Sequence, residues 1–439
     1  MNGPPSGRLR RLRALVVTDL GPLRRHREFR LFYLARGASF FGAMLTEVAV
    51  PYQAYQLTHS SLVVGAIGAI ELLPLVIFAF IGGAIADWAD RRRVVIVVQI
   101  ITLLTSIALL ANALLPGPAL AILLAISAIR GGLAAAQRPS IEAILPRLID
   151  RDEMIAAGAL MSVEMNTMVI AGPSLAGVLI ALFGLPVAYM VDIATFAASL
   201  ALLFAMRPVP AAEGSERPSL KGIGEGIRYA LSRQELIGTY TVDMVAMFFG
   251  MPLALFPALA DRLGGPGVLG LLYAAPALGS LVASATGGWA RRVHRHGFAI
   301  VIAASGWGIA IVAFGLAPTV PLALFFLALA GAADMISGLF RSAIWNQTIP
   351  DALRGRLAGI ELISYSSGPA LSGLESGLVA QFFGPAVSVM SGGIACVIGA
   401  VALAALLPKF LRYDYEDWKR AEEGRKRNGE RTPSYSEPG

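Results

Sequence analysis

Long apolar runs alternate with short polar connections along this chain, and its cations fall almost wholly on one side of that alternation. About twelve runs reach the roughly 20 residues that carry a helix across a bilayer. Of the 36 Lys and Arg, 33 lie before the first run, after the last, or in every second connection. The other connections are nearly bare. Segments 57–61, 115–118, 182–186, 316–320 and 382–386 carry no cation, and 261–267 carries Arg262 alone. The remaining two, Arg36 and Arg130, sit inside apolar runs. The positive-inside bias places both termini in the cytoplasm. Composition agrees: 15% of the residues are charged, against about 25% in a soluble domain.

The predicted spans are 31–56, 62–86, 94–114, 118–137, 154–181, 185–206, 236–260, 268–290, 298–317, 319–340, 357–381 and 385–407. Backbone within lipid must satisfy its own hydrogen bonds, so each is a helix, and Pro74, Pro173, Pro276 and Pro369 kink rather than end theirs. The halves resemble each other. Gly82-Gly83 recurs as Gly287-Gly288 at an offset of 205, and Ala157-Gly158 as Ala358-Gly359 at 201. The expected fold is an all-α membrane protein of twelve helices in two pseudo-twofold-related six-helix bundles, with a site between them near the midplane. Its expected parts are a basic cytoplasmic segment (1–30), a first bundle (31–206), a central cytoplasmic linker (207–235), a second bundle (236–407) and a cytoplasmic tail (408–439) with a disordered end.

Composition also excludes function classes. The net charge of +7 does not point to nucleic acid, because the cations are scattered over short loops. They read as topology signals and contacts to anionic lipid. The single cysteine, Cys396, permits no disulfide framework and no Cys-based zinc site. His26, His59, His294 and His296 lie in loops or near helix ends without clustered carboxylates, so no metal is expected. No GxxxxGK[ST] loop occurs. No cofactor is implied, and no grouping of nucleophile, base and orienting residue suggests an enzyme. The basic start runs into a full-length span, so no cleavable signal peptide is expected.

The densest motif joins the second and third runs: Gly82-Gly83-Ala84-Ile85-Ala86-Asp87-Trp88-Ala89-Asp90-Arg91-Arg92-Arg93. Glycine lets a facing helix approach. An acid at a cytoplasmic helix end can accept from Arg91 or Arg92 and hold that side shut. This stretch resembles the loop signature of the major facilitator superfamily, with Gly83, Asp87, Arg91 and Arg92 on matching positions. Trp88 and Asp90 depart from it, so the lock is expected to run through Asp87 and Asp90 together. FPALADRLGGPGVLGLLYAAPALGSLVASATGGWARR (256–292) looks like the matching region of the enterobactin exporter group. Segments 134–160 and 26–44 fit the wider branch, which holds macrolide and multidrug efflux proteins. Gly172, Pro173 and Gly177 are similar to an antiporter Gly-Pro motif, and Arg130-Gly131-Gly132 to the efflux arginine motif. The resemblance implies export driven by a proton gradient and leaves the cargo open.

An ionisable group at mid-membrane costs about 2.5–3.5 kcal/mol on insertion scales, so each one is a candidate. Arg36, Glu47, Glu71, Arg130, Glu164, Asp243 and Glu361 are the candidates for proton coupling or cavity lining. Arg36 and Glu47 share a helix face but stand about 16 Å apart, so each needs another partner. A desolvated glutamate can load and release a proton, and an arginine that retreats as the halves move can drive that exchange. Asp192, near the outer end of a helix expected to be peripheral, reads as structural. Asp334 and Arg341 read as part of an inner gate, and Glu375 shares a face with Glu361. The arginines favour an anionic cargo such as a catecholate, and the acids favour the opposite. The reading is a monomeric proton-coupled exporter of a medium-sized amphipathic molecule, a siderophore first, in a bacterial cytoplasmic membrane. A macrolide or multidrug exporter, an importer, and a non-transporting sensor are the alternatives.

Overall fold

A computed structural model describes residues 19–88, 90–209, 228–349, 351–417 and 419–420, with the backbone course alone for 80–88 and 351–366. Twelve long helices cross it: α1 (Arg27–Thr58), α2 (Ser61–Trp88), α3 (Arg91–Ala113), α4 (Leu120–Leu148), α5 (Met154–Phe183), α6 (Leu185–Phe204), α7 (Gln234–Gly250), α8 (Pro266–Ala285), α9 (His296–Gly315), α10 (Val320–Thr348), α11 (Asp351–Phe383) and α12 (Pro385–Leu406). Among the described residues ten spans are long and apolar enough to cross a membrane; α1 and α11 add 32 and 33 residues of helix. Many leucines, isoleucines and phenylalanines on the outer faces are exposed, while Asp192, Ser106, Ser199 and Gln99 are buried. That inside-out burial suits a lipid solvent.

Two expectations need correction. The helices α4, α10 and α11 outrun their predicted spans on the cytoplasmic side, ending at Leu148 and Thr348 and beginning at Asp351. Hydropathy stops at the membrane surface, but helical hydrogen bonding does not. The seventh span is not one helix. It breaks after Gly250 and resumes as Phe256–Leu263. Pro252 withholds an N–H there, and the freed carbonyls find other donors: Trp307 Nε1 bonds Gly250 at 3.0 Å and Ser372 Oγ bonds Met251 at 2.9 Å. Part of the expected linker (210–227), the start (1–18) and the end of the tail (421–439) lie outside the described residues.

The outer connections are very short: 59–60, 114–119, Gly184, 264–265, 316–319 and Gly384. Gly184 and Gly384 occupy equivalent turns, with φ of 84° and 87°. Both bends require the left-handed region that glycine enters freely, and their shared shape supports the internal repeat.

Within the first six helices α1 packs on α5 and α6, and α2 on α4. Within the last six α8 and α9 pack on α10, and α7 on α11 and α12. Two seams join the sets, α2 with α11 and α5 with α8. Both run along outer ends. A Cβ on Gly65 would strike the Gly373 carbonyl, and one on Gly377 would lie 2.6 Å from the Ser61 carbonyl. A Cβ on Gly177 would lie 2.8 Å from the Gly270 nitrogen. At the cytoplasmic ends of the second seam the reverse holds: a Cβ on Gly158 of α5, or on Gly287 or Gly288 beyond α8, has nothing within 4 Å. Among the described residues the halves touch at the ends predicted to face outward, and the second seam loosens at its other end.

Candidate functional site

Three arginines described inside the membrane layer each meet a carboxylate from another helix. Arg36 of α1 bonds Glu164 of α5 at 2.8 Å. This is the partner that Arg36 lacked on its own helix. Arg341 of α10 pairs with Asp243 of α7, and its other nitrogen lies 3.7 Å from Asp334. Arg36 and Asp243 each stand nine residues after the first residue of α1 and α7.

The third arginine organises the centre of the first six helices. Arg130 of α4 lies 3.5 Å from Asp192 of α6, donates to Thr46 Oγ1 of α1 at 3.3 Å, and sits 5.8 Å from the centre of the Phe196 ring. Asp192 also accepts from Thr46 at 2.9 Å and from Ser106 of α3 at 2.7 Å. Its second oxygen is buried with no hydrogen-bond partner, and it nests where a Cβ on Gly42 would stand. Asp192 reads as structural in the sequence; here its side chain is 0% exposed and joins four helices, turned inward from a helix expected to be peripheral. A carboxylate in an apolar run demands such a partner.

Glu47 is one residue along from Thr46 and looks the other way. It is midway down α1 and still exposed. Its charge interacts with those of Glu71 and Arg130 and, across the divide between the halves, with Tyr273 of α8. Glu47 therefore sits where the two sets of helices face each other. Glu71 is half-buried and takes a hydrogen bond from Ser127 of α4. A Cβ on Gly131 would lie 2.8 Å from the Glu71 carbonyl, so the glycine after Arg130 brings α2 and α4 together beside this carboxylate. Glu47, Glu71 and Arg130 thus share one region, while Arg36 with Glu164, and Asp243 with Arg341, lie nearer the cytoplasm. The side chain of Glu361 is outside the described residues. Glu375 is half-buried near the outer end of α11.

In the motif after α2, the described side chains brace neighbouring helix ends. Arg91 Nη1 donates to the Ala143 carbonyl of α4 at 3.0 Å. Arg92 donates to the Leu203 and Phe204 carbonyls at 2.7 and 2.9 Å, capping the end of α6. Asp90 accepts from the Arg93 N–H at 3.0 Å and so caps the start of α3. The side chains of Gly83 and Asp87 are outside the described residues. The Gly-Pro motif spans two contacts. A Cβ on Gly172 would meet Met44 of α1, while Pro173 and Gly177 face Gly270 across the outer seam. Trp345 stacks on Tyr240 at 5.3 Å and donates to Thr239 Oγ1 at 2.8 Å. Among the described residues no cluster of His, Cys, Asp and Glu can hold a metal ion.

Comparison with known proteins places this geometry. The model of the transmembrane secretion effector family matches residues 17–424. A protein named enterobactin exporter EntS in Citrobacter koseri is 30% identical over 399 residues, 90% of this chain and 96% of its own. One of the same name in Shigella boydii is 28% identical over the same shares. Among solved structures, nucleoside transporter NupG superposes with a TM-score of 0.70 at 13% identity, covering 86% of this chain and 98% of its own. A bacterial homologue of the iron transporter ferroportin in an inward-facing state gives 0.66 at 17%, over 86% and 98%. At such identities these structures speak for the fold alone. The chain belongs to the transmembrane secretion effector family of major facilitator transporters, and it is a multi-pass membrane transporter rather than an enzyme.

Proposed function

We propose that this protein is a proton-coupled exporter, moving a medium-sized amphipathic molecule out across a bacterial cytoplasmic membrane by alternating access. One observation carries the reading: Arg130 pairs with a buried carboxylate, Asp192, and acts electrostatically on two more, Glu47 and Glu71. A carboxylate pair that shares one arginine holds a proton in one arrangement of the helices and gives it up in another. Export as the direction is supported by the relatives, whose names describe exporters.

Everted vesicles test this. An outward-driving proton exchange should load cargo into such vesicles, and Glu47→Gln or Glu71→Gln should abolish the coupled flux while leaving the protein folded. Full activity in both variants would remove the proposal. The relatives' names support a siderophore as cargo. Deleting the gene under iron limitation should then trap a siderophore inside the cells. A second reading, a multidrug or macrolide-type exporter of the same branch, is favoured by the carboxylate of Glu47 where the two sets of helices face each other. Drug sensitivity without siderophore retention would select it.

A further inference from the structure

The inner end of α10 is gripped by chain from both ends of the second half. Tyr229, five residues before the first of α7, donates its hydroxyl to the Thr348 carbonyl at 2.6 Å. Tyr413, beyond α12, donates to Gln347 Oε1 at 3.0 Å. The two acceptors are consecutive residues in the last turn of α10, and only Ile349 and Pro350 separate that turn from α11. Whatever fixes the end of α10 therefore also fixes the start of α11, which meets α2 of the first half. Both tyrosines stand on anchored backbone. Tyr229 is buried with Leu236 and Ile349. The segment carrying Tyr413 is plugged by Phe410, which is 0% exposed: a Cβ on Gly238 of α7 would strike its ring, and one on Gly297 of α9 its carbonyl. Beyond Tyr413, Asp414 and Arg295 form an antiparallel backbone bridge, and the Tyr415 N–H donates to the His294 carbonyl at 2.9 Å. Tyr415 also stacks on the His296 ring at 5.8 Å. The tail is thus moored on α7 and α9 by apolar burial and backbone pairing.

The two hydroxyl bonds on the last turn of α10 are of another kind. Each is neutral and worth about two- to tenfold in an equilibrium. That is strong enough to bias two near-balanced arrangements and weak enough to be released in every cycle. We infer that Tyr229 and Tyr413 are positioning residues for transport: their hydroxyls hold the inner ends of α10 and α11 back against the second half, and their release lets both lean toward the first half when the inner side closes. The pivot is the pair of Arg341 with Asp243 of α7, six residues and about 9 Å before Gln347. The flat stack of Trp345 on Tyr240 lies between pivot and clasp, where a lean makes the rings slide. The clasp is made in the described state, in which the second seam is loose at its inner end. The inference holds whichever way cargo moves and whatever drives it.

Spin-label distances on the full chain in nanodiscs test it. Arg147→Cys and Asn346→Cys put labels on exposed positions in the last turns of α4 and α10, one in each half. Asn346→Cys with Phe298→Cys, an exposed position of α9, reports within the second half. In these labelled backgrounds, Tyr229→Phe with Tyr413→Phe keeps both rings and removes both hydroxyls. The expected result is that the short-distance population between 147 and 346 rises about tenfold relative to the long one, with each single variant giving about threefold. The distance between 298 and 346 should lengthen in the same fraction of molecules. Unchanged distributions overturn the inference, whether or not the protein melts earlier. So does an equal shift in Ser388→Ala, which removes a buried 2.8 Å hydroxyl bond from α12 to α11 and leaves the last turn of α10 untouched. A shift between 147 and 346 with 298 and 346 unmoved would mean that the second half closes as one body, and that also overturns it.

Discussion

Asp192 and Glu47 show how two acids of the same central region serve different ends. Asp192 is sealed among Thr46, Ser106 and Arg130, so its charge has one task, which is to neutralise Arg130 and hold it in place. Replacing it by Asn keeps the shape and removes the charge. The stranded guanidinium should then cost about 3–5 kcal/mol, the usual penalty for breaking a buried pair. Thermal unfolding in detergent should show the loss, and adding Arg130→Gln should recover much of it, because the second change removes the unpaired charge. A double variant no more stable than Asp192→Asn alone would mean that the pair is not the source. Six of the seven charged candidates were legible in the sequence as anomalies and are seen here in their surroundings. Their pairings were not. Which acid meets which arginine depends on how each helix is rotated about its axis, and side-chain spacing along one helix says nothing of its neighbour. Arg36 illustrates this, since its partner Glu164 lies 128 residues away.

At the scale of helices, the glycines carry the argument. Gly65, Gly373 and Gly377 let α2 and α11 meet backbone to backbone, and Gly177 and Gly270 do the same for α5 and α8. Close approach through small residues is how membrane helices gain packing without a hydrophobic driving force. A Gly65→Val change places methyl groups where the Gly373 carbonyl stands, so the outer seam should open. The expected outcome is faster labelling, from outside, of a cysteine introduced as Gln56→Cys beside Asp261, with the fold retained. Unchanged labelling would show that the seam tolerates the extra volume. The sequence marked these glycines as packing positions, and the Gly-Pro motif was rightly singled out for close approach. It did not show that Pro173 and Gly177 press on the other half while Gly172 presses on its own. The break in the seventh span was equally hidden: Pro252 alone reads as a kink, and the break depends on Trp307 and Ser372 arriving from other helices to take the freed carbonyls.

For the whole molecule, the described contacts between the halves lie at the ends predicted to face outward, and the second seam loosens at its other end. Alternating access requires the reverse state as well. Spin labels on Gly158→Cys and Gly288→Cys should approach one another, and labels on Gln56→Cys and Asp261→Cys should move apart, when cargo and a proton gradient are both present. Distances that never change together would argue for a rigid scaffold. The overall architecture was the most legible level of all, because apolar length and the cation bias follow directly from bilayer thickness and insertion. The short outer turns have one more practical consequence. With Arg262 the sole lysine or arginine in those turns and their flanks, trypsin added to intact spheroplasts has almost nothing to cut, whereas the same protease meets many arginines on inside-out membranes. The digestion pattern alone therefore reports which way round the chain has been inserted.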